Sequence, residues 1–137
     1  MKDKCFVVTG SSSGIGRAIT IKLLDSGARV IGIARNHVKN KLEHENYLTY
    51  RTDLNKLDDL EKTIKKIIQD NPEINGLVSN AGYGEFGPLE NFSVNDISSF
   101  FSMNLTSHII ITKCLLPHLK KKEIGDIIFM GSEASLS

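Results

Sequence analysis

The chain lacks the residues and segments that mark several broad classes of protein. Among 137 residues it has only two cysteines, Cys5 and Cys114, and neither has the spacing of a metal site or a redox pair. No stretch is long and apolar enough to span a bilayer, and the start of the chain lacks the shape of a secretory signal. We therefore expect a cytoplasmic protein with reduced thiols and no membrane partner.

An excess of charge of one sign is also missing. The 17 lysines and arginines balance 16 acidic residues, so no broad attraction to nucleic acid is expected. The four histidines form no ligand cluster, so no metal is expected; they are His37, His44, His108 and His118. His108 is expected to be packed or half-exposed. No repeat, linker or low-complexity tract divides the sequence, which predicts one domain over residues 1–137.

What the sequence does contain is a regular alternation of apolar runs and helical patterns. Five strands are predicted, at residues 5–8, 28–33, 47–51, 76–80 and 126–130. Helical patterns lie between most of them, and crossovers between parallel strands are right-handed. The pattern therefore predicts an α/β fold with a doubly wound parallel sheet, strand order 3-2-1-4-5, and a switch point between strands 1 and 4.

Helical spacing also predicts which faces of the helices are buried. The first helix is expected to bury one face, formed by Ile15, Ala18, Ile19 and Leu23. The helix over 56–70 has a clear apolar stripe, made of Leu57, Leu60, Ile64, Ile67 and Ile68. A long helix is expected from the N-cap Ser93 to about Lys122, with its last turns bent or shortened by Pro117.

A glycine-rich turn over residues 9–16 follows the first strand and opens the first helix. The backbone N–H groups of a helix N-terminus favour an anion, and Gly10 would allow the tight turn. Gly14 would let the backbone approach a phosphate, and Gly16 would let helix and strand pack closely. An ordinary strand-to-helix turn is the alternative, but the strand–turn–helix–strand context favours a dinucleotide site.

Further motifs follow this turn in a recognisable order. They are Asp53 after the third strand, Asn80-Ala81-Gly82 after the fourth, Asn104 in the long helix and Ser132 after the fifth strand. With these motifs the chain resembles the classical short-chain dehydrogenase/reductases over essentially its whole length. The resemblance implies a Rossmann-like fold and an oxidoreductase that transfers hydride between a nicotinamide and a small carbonyl or alcohol substrate.

The resemblance also implies roles for individual residues. The implied cofactor-binding residues are Gly10, Ser11, Ser12, Ser13, Gly14, Ile15, Gly16, Asp53, Leu54, Asn80, Ala81 and Gly82. Asn104 would open its helix and hold a water in a proton relay, and Ser132 would hydrogen-bond the substrate oxygen. Alternatives stay open: Asp53 could cap the next helix, Asn104 could satisfy a helix carbonyl, Asn80 could be structural, and Ser132 could be a turn serine.

The end of the second strand indicates which cofactor is used. Enzymes that use NAD place an acidic residue there for the ribose 2′-hydroxyl, whereas this chain has Ala34-Arg35. A guanidinium can bind a 2′-phosphate through two hydrogen bonds, so Arg35 favours NADP(H) over NAD(H). A solvated surface arginine is the alternative.

The chain departs from the family at its general acid. The family uses a tyrosine followed four residues later by a lysine, but Tyr47, Tyr50 and Tyr83 all lack that lysine. We therefore expect the chain to be the N-terminal part of such an enzyme, incomplete relative to the family and inactive alone. A non-catalytic NADP(H)-binding module or a non-functional fragment is the alternative. Homo-oligomers are expected for the full-length family form and are doubtful for this chain.

Overall fold

The computed structural model describes residues 2–11, 14–34, 42–54, 56–80, 89–122 and 125–129. The first part contains β1 (Cys5–Thr9), α1 (Gly14–Asp25), β2 (Arg29–Ala34), β3 (Tyr47–Arg51), α2 (Leu57–Asp70) and β4 (Gly76–Ser79). A 3-10 turn (Leu89–Asn91), α3 (Val94–Phe101), a π-helical turn (Ser102–Thr106), α4 (Ser107–Leu119) and β5 (Asp126–Phe129) follow. Strands alternate with helices, as the sequence predicts.

The five strands form one parallel sheet in the order β3-β2-β1-β4-β5, which confirms the predicted doubly wound topology. The central strand β1 pairs with β2 on one side and with β4 on the other, so that Val7 lies opposite both Ile31 and Leu77. The connections run in opposite directions from β1. The carboxyl ends of β1 and β4 therefore flank the switch point, where open sheets of this kind bind their ligands.

The two faces of the sheet carry separate apolar clusters. On one face the α2 residues Leu60, Ile64 and Ile67 pack with strand and α4 side chains, and all three are fully buried. This confirms the predicted stripe, whose outer members Leu57 and Ile68 are partly buried. Burial of side chains on both faces explains why the inner strands are continuously apolar.

The predicted buried face of α1 is wrong for Ile15 and Ala18. Gly16, Thr20 and Leu24 face the sheet, whereas Ile15 is 62% exposed. Ala18 is exposed too, while Ile19 and Leu23 are partly buried against the cluster on this face. The reason is close approach: glycine and threonine let the helix lie nearer the sheet than a face of larger apolar side chains allows. Apolar spacing alone therefore placed the buried face about one residue out of register.

The predicted long helix is divided into three pieces. Ser93 begins it with a capping box, in which its hydroxyl accepts from the Asp96 N–H and its own N–H donates to the Asp96 carboxylate. The π-helical turn then separates α3 from α4. The helix ends at Leu119, two residues after Pro117, and not at Lys122. Proline has no N–H to donate, which weakens the last turn.

Three further features bear on the kind of protein this is. In the part of the chain that the structure describes, no helix is both long and apolar enough to cross a bilayer. Within the same residues, no group of three histidine, cysteine or acidic side chains could hold a metal ion. Both cysteines are free thiols, with Cys5 buried in the core and Cys114 partly buried.

Candidate functional site

The glycine-rich turn adopts a backbone that ordinary residues avoid. Gly10 has φ +66° and Gly14 has φ +54°, both in the left-handed region that favours glycine. The Gly10 N–H donates to the Ile33 carbonyl oxygen at 2.8 Å, which fastens the start of the turn to the end of β2. The turn therefore favours glycine at both positions.

Gly16 lies where no side chain fits. A Cβ built at this position would collide with the carbonyl oxygen of Gly10 and would lie 2.5 Å from Asn80 Nδ2. It would also lie 2.7 Å from the Gly10 carbonyl carbon. Since the nearest atoms belong to backbone, they cannot move aside cheaply. The first turn of α1 is therefore pressed directly onto the turn and onto Asn80.

Gly14 lies in the opposite situation. A Cβ added there would meet nothing within 4 Å among the described atoms. Gly14 is also the first residue of α1, whose first turn carries no acidic side chain. The first N–H groups of a helix have no partner inside the helix, and the dipole there is positive. Open space beside these donors fits a pyrophosphate group.

Ser11 and Ile15, both predicted to lie near the cofactor, have different surroundings. The Ser11 side chain is almost wholly buried, at 1% exposure, and its hydroxyl faces the interior. Ile15 follows Gly14 on the first turn of α1 and is largely exposed. Of these two side chains, only Ile15 presents an apolar surface to solvent beside the open space at Gly14.

Asp53 and Leu54 follow β3, as expected, but their side chains differ in burial. Leu54 is 4% exposed and belongs to the core cluster beside α2, whereas Asp53 is partly exposed. The Asp53 carbonyl oxygen accepts from the Lys56 N–H at 3.0 Å. The N-cap of α2 is Lys56, so Asp53 does not occupy the capping position. Of the pair, only Asp53 offers a side chain outside the core.

Asn80 joins the ends of two neighbouring strands. Its backbone N–H donates to the Thr9 hydroxyl at 2.7 Å, and its side-chain amide lies against Gly16. Thr9 is the last residue of β1 and Asn80 directly follows β4, so this hydrogen bond joins the two strand ends that flank the switch point. One asparagine thus contacts the end of β1 and the first turn of α1.

Asn104 lies in the middle of the π-helical turn between α3 and α4. Regular α-helical bonding is replaced at this residue by a π-helical turn, at the place where the resemblance implies a local opening. A π-helical turn replaces regular i to i−4 bonding, and such turns are frequent at functional sites. The backbone hydrogen bonding around Asn104 therefore differs from that of the regular helices on either side.

A buried hydrogen bond between Ser79 and His108 was not foreseen from the sequence. The Ser79 hydroxyl bonds to His108 Nδ1, and the two residues are 1% and 8% exposed. Ser79 precedes Asn80, and His108 follows Asn104 by one helical turn. The bond therefore joins the segment after β4 to the segment after the π-helical turn.

Tyr47 lies on β3, and its hydroxyl bonds to the turn residue Ser11. Burial raises the pKa of the Tyr47 hydroxyl above its ordinary value, while its hydrogen bond to Ser11 and the charge of Arg17 act in the opposite direction. Tyr47 is therefore a protonated donor at neutral pH. Arg17 lies on α1, one residue after Gly16, and brings positive charge to the same side of the turn.

Several predicted site residues lie outside the residues that the structure describes. They are Ser12, Ser13, Arg35, Ala81, Gly82 and Ser132. β2 ends at Ala34, one residue before Arg35, and β5 ends at Phe129, three residues before Ser132. Their places in the chain therefore lie just beyond carboxyl ends of strands, and their roles stay predictions.

Comparison with known proteins agrees with this geometry. The family model described as "short chain dehydrogenase" matches residues 4–137. The oxidoreductase YvaG of Bacillus subtilis is 33% identical over 99% of this chain and 53% of its own length. The 3-oxoacyl-(acyl-carrier-protein) reductase FabG of Buchnera aphidicola is 32% identical over 96% of this chain and 56% of its own length.

A solved structure gives the same result. The ligand-free aldohexose dehydrogenase of Thermoplasma acidophilum superposes with a TM-score of 0.85 and 28% identity. The match covers 96% of this chain and 50% of that one. The chain thus spans about half the length of the relatives it matches. Because the family model matches nearly every residue, the chain belongs to the short-chain dehydrogenase family.

Proposed function

We propose that this chain is the dinucleotide-binding domain, over residues 1–137, of an NADP(H)-dependent oxidoreductase acting on a small carbonyl or alcohol substrate. The observation that carries the proposal is the turn between β1 and α1. Gly16 is pressed onto Gly10 and Asn80, while the space at Gly14 stays open beside the N–H groups of the helix. Such a turn suits a pyrophosphate and is poorly explained by packing alone.

We propose a role for each predicted site residue around this turn. The turn residues would hold the phosphates and the adjoining ribose; they are Gly10, Ser11, Ser12, Ser13, Gly14, Ile15 and Gly16. Asp53 and Leu54 would lie at the adenine, with Asp53 as the exposed member. Asn80, Ala81 and Gly82 would border the ribose next to the switch point, where the Asn80 N–H is already bonded to Thr9.

Catalysis by the family needs hydride and proton transfer. The nicotinamide, when bound, supplies or accepts the hydride. Ser132 would hydrogen-bond the substrate oxygen, and Asn104 would hold a water within the opened helix. Among the 137 residues no tyrosine has a lysine four residues later. Loss of a positioned acid lowers rates by about two to four orders of magnitude, so we propose that these residues alone bind and orient without efficient turnover.

The preference for NADP(H) rests on Arg35. It is the first residue after β2, and the bond from Gly10 to Ile33 draws the glycine-rich turn to the same strand end. A guanidinium there can bind a 2′-phosphate, and the sequence places no carboxylate at Ala34-Arg35 to repel it. The adenosine end of the cofactor would therefore meet a positive charge.

A charge reversal at Arg35 tests this proposal. We expect Arg35→Asp to weaken NADPH and strengthen NADH in a titration that follows the fluorescence of the reduced cofactor. The matched control is Arg51→Asp, because Arg51 pairs with Ala34 across β2 and β3 and undergoes the same charge change one strand away. The control should leave the ratio of the two affinities unchanged. Equal affinity for both cofactors before and after Arg35→Asp would contradict the assignment.

A non-catalytic NADP(H)-binding module is supported by the same turn. Translation of the nucleotide sequence after the codon for Ser137, in all frames, distinguishes the two. A Tyr-x-x-x-Lys segment there supports a reductase whose general acid follows these residues, and its absence supports the binding module. No binding of NADPH at millimolar concentration would count against both.

Location and assembly complete the proposal. We propose a cytoplasmic protein, since both cysteines are free thiols and a reducing compartment keeps them so. Exposed apolar side chains along α3 and α4 support a homo-oligomer of the full-length form through this helix.

A further inference from the structure

Tyr47 and Ser11 form a hydroxyl pair beneath the glycine-rich turn, although they are 36 positions apart in the chain. The Tyr47 O–H donates to Ser11 Oγ at 2.9 Å. Ser11 is buried, and the partly buried Tyr47 ring packs against the apolar cluster on the α1 face of the sheet. The ring is thus held by packing while its hydroxyl reaches past β2 to the turn.

Gly32 provides the room for this pair. It lies on β2, between β1 and the edge strand β3. A Cβ added at Gly32 would collide with Ser11 Oγ and would lie 2.6 Å from the Tyr47 hydroxyl oxygen and 2.8 Å from Cε1. Any larger residue at this position would therefore push apart the two hydroxyl groups. The hydrogen bond between Tyr47 and Ser11 therefore depends on the lack of a side chain at Gly32.

The pair fastens the turn to a second strand. Gly10 is bonded through its backbone to Ile33 on β2, and the next residue, Ser11, is bonded through its side chain to Tyr47 on β3. The positive charge of Arg17 acts on the same phenol. Ser11 lies three residues before the start of α1 at Gly14. Its position bears directly on where the N–H groups of the turn point.

We propose that Tyr47 is a positioning residue, which acts through Ser11 to hold the glycine-rich turn in the geometry that binds the dinucleotide. The inference rests on the proposed cofactor site. It assigns Ser11 a role different from direct contact through its side chain, because the buried hydroxyl is an anchor of the turn. The edge strand β3 thereby contributes to the cofactor site. The resemblance implies a role only for Asp53 and Leu54, which follow the end of this strand.

A comparison of two tyrosines tests the role. Tyr50 lies on the same strand but on the other face of the sheet, where its hydroxyl donates to Asp70 at 3.3 Å and accepts from Asn71 at 3.2 Å. Tyr47→Phe and Tyr50→Phe each remove a phenol hydroxyl from β3. We expect Tyr47→Phe to weaken NADPH binding about threefold to tenfold, the range for one hydrogen bond, and Tyr50→Phe to leave it unchanged. Equal effects of the two variants on binding would overturn the proposal.

A double-mutant cycle separates the anchor from general destabilisation. After Ser11→Ala the Tyr47 hydroxyl has lost its partner, so adding Tyr47→Phe should weaken NADPH binding no further. Gly32→Ala should act in the same direction as Tyr47→Phe, because it displaces the same two hydroxyl groups. Independent, additive effects of Ser11→Ala and Tyr47→Phe on binding would contradict action through Ser11.

Hydrogen exchange distinguishes failure of the anchor from failure of the cofactor site. If the unaltered chain does not bind NADPH, the proposed function fails, and the anchor is then read from amide exchange at Gly10 and Ser11. Tyr47→Phe should speed exchange at these amides several-fold relative to Tyr50→Phe. Identical exchange in the two variants would overturn the anchor whether or not the cofactor binds.

Discussion

The segment β1–α1–β2 and the segment α3–α4 expose different kinds of surface. In the first, backbone borders the open space at Gly14, since Gly10 and Gly14 have positive φ and a Cβ at Gly14 would meet no described atom within 4 Å. In the second, one side of the helix exposes large apolar residues at 37–83%, which are Val94, Ile97, Phe101, Leu105, Ile109 and Leu116. The first surface suits a polar anion, and the second suits an apolar protein surface.

The two segments also differ in which contacts hold them in place. The turn is held by its own neighbours, through Ile33, Asn80 and Tyr47. The helix buries one side against α2 and the sheet, through His108, Ile111, Leu115 and Leu119, and leaves the other apolar side exposed in the described residues. We therefore expect changes in the first segment to affect stability and cofactor binding, and changes on the exposed side of the second to affect association.

The largest effect is expected on the buried side of α4. Ile111 is fully buried in the core, so Ile111→Ala should lower the free energy of unfolding by about 2–5 kcal/mol. Ile109, two residues earlier on the same helix, is 56% exposed and is the matched control. Ile109→Ala should change the unfolding free energy by no more than about 0.5 kcal/mol in urea denaturation. Similar losses in both variants would contradict the assigned faces.

Gly16 should be the most sensitive position of the turn. Gly16→Ala places a methyl group against the Gly10 carbonyl, and we expect a loss of about 3 kcal/mol, the upper part of the overpacking range. Gly14→Ala meets open space and suffers only from its positive φ, a strain of about 1–2 kcal/mol. Urea denaturation measures both. A smaller loss for Gly16→Ala than for Gly14→Ala would show that close packing does not govern the turn.

Alkaline pH should weaken the fold through Cys5 on β1. Burial raises the pKa of the Cys5 thiol above its ordinary value of 9.0. A folded-state pKa above the unfolded one means that the folded chain holds the proton longer, so this contribution is complete below pH 9 and declines as pH rises further.

The decline is limited to about 1.4 kcal/mol per pH unit for one group. Urea denaturation at several pH values measures it, and Cys5→Ala should remove most of the slope. Cys114→Ala is the comparison, because burial also raises the pKa of that partly buried thiol, and we expect it to remove a smaller part of the slope than Cys5→Ala. An unchanged slope in Cys5→Ala would exclude Cys5 as its source.

The smallest effect on stability is expected on the exposed side of the helix. Leu105 lies in the π-helical turn and is 51% exposed, so Leu105→Lys should hardly change the free energy of unfolding. It should instead reduce concentration-dependent association in sedimentation, because a charge interrupts the apolar surface. Glu90→Lys, at an exposed residue before α3, adds positive charge elsewhere and serves as the control. Equal association in the two variants would argue against this surface.

Much of the fold follows from local pattern. The strand order and the α2 stripe were predicted correctly, since apolar runs, glycine stops and helical spacing are signals within a few residues. The face of α1 was not, because Gly16 and Thr20 are buried for close approach, and spacing arguments count only large apolar residues. The division of the long helix was foreseen only as an opening at Asn104, since apolar periodicity continues across the π-helical turn.

Sequence motifs predict the positions of the site residues but not their contacts. The glycines and Asn80 carry signals in their own motifs, and their neighbourhood agrees with those motifs. The bonds from Ser79 to His108 and from Tyr47 to Ser11 span 29 and 36 positions, and the two partners of each bond share no sequence motif. The register of the strands and the packing of α4 bring such partners together. Neither can be predicted from the spacing of residues within a short segment.

The most direct test is cofactor-linked stability of this chain. A ligand that binds only the folded state raises the free energy of unfolding by about 2.7 kcal/mol at a hundredfold excess over its Kd. We expect NADPH to raise the urea midpoint of the chain with this concentration dependence, and NADH at equal concentration to raise it less. A midpoint that does not move with millimolar NADPH would contradict a dinucleotide site at the β1–α1 turn.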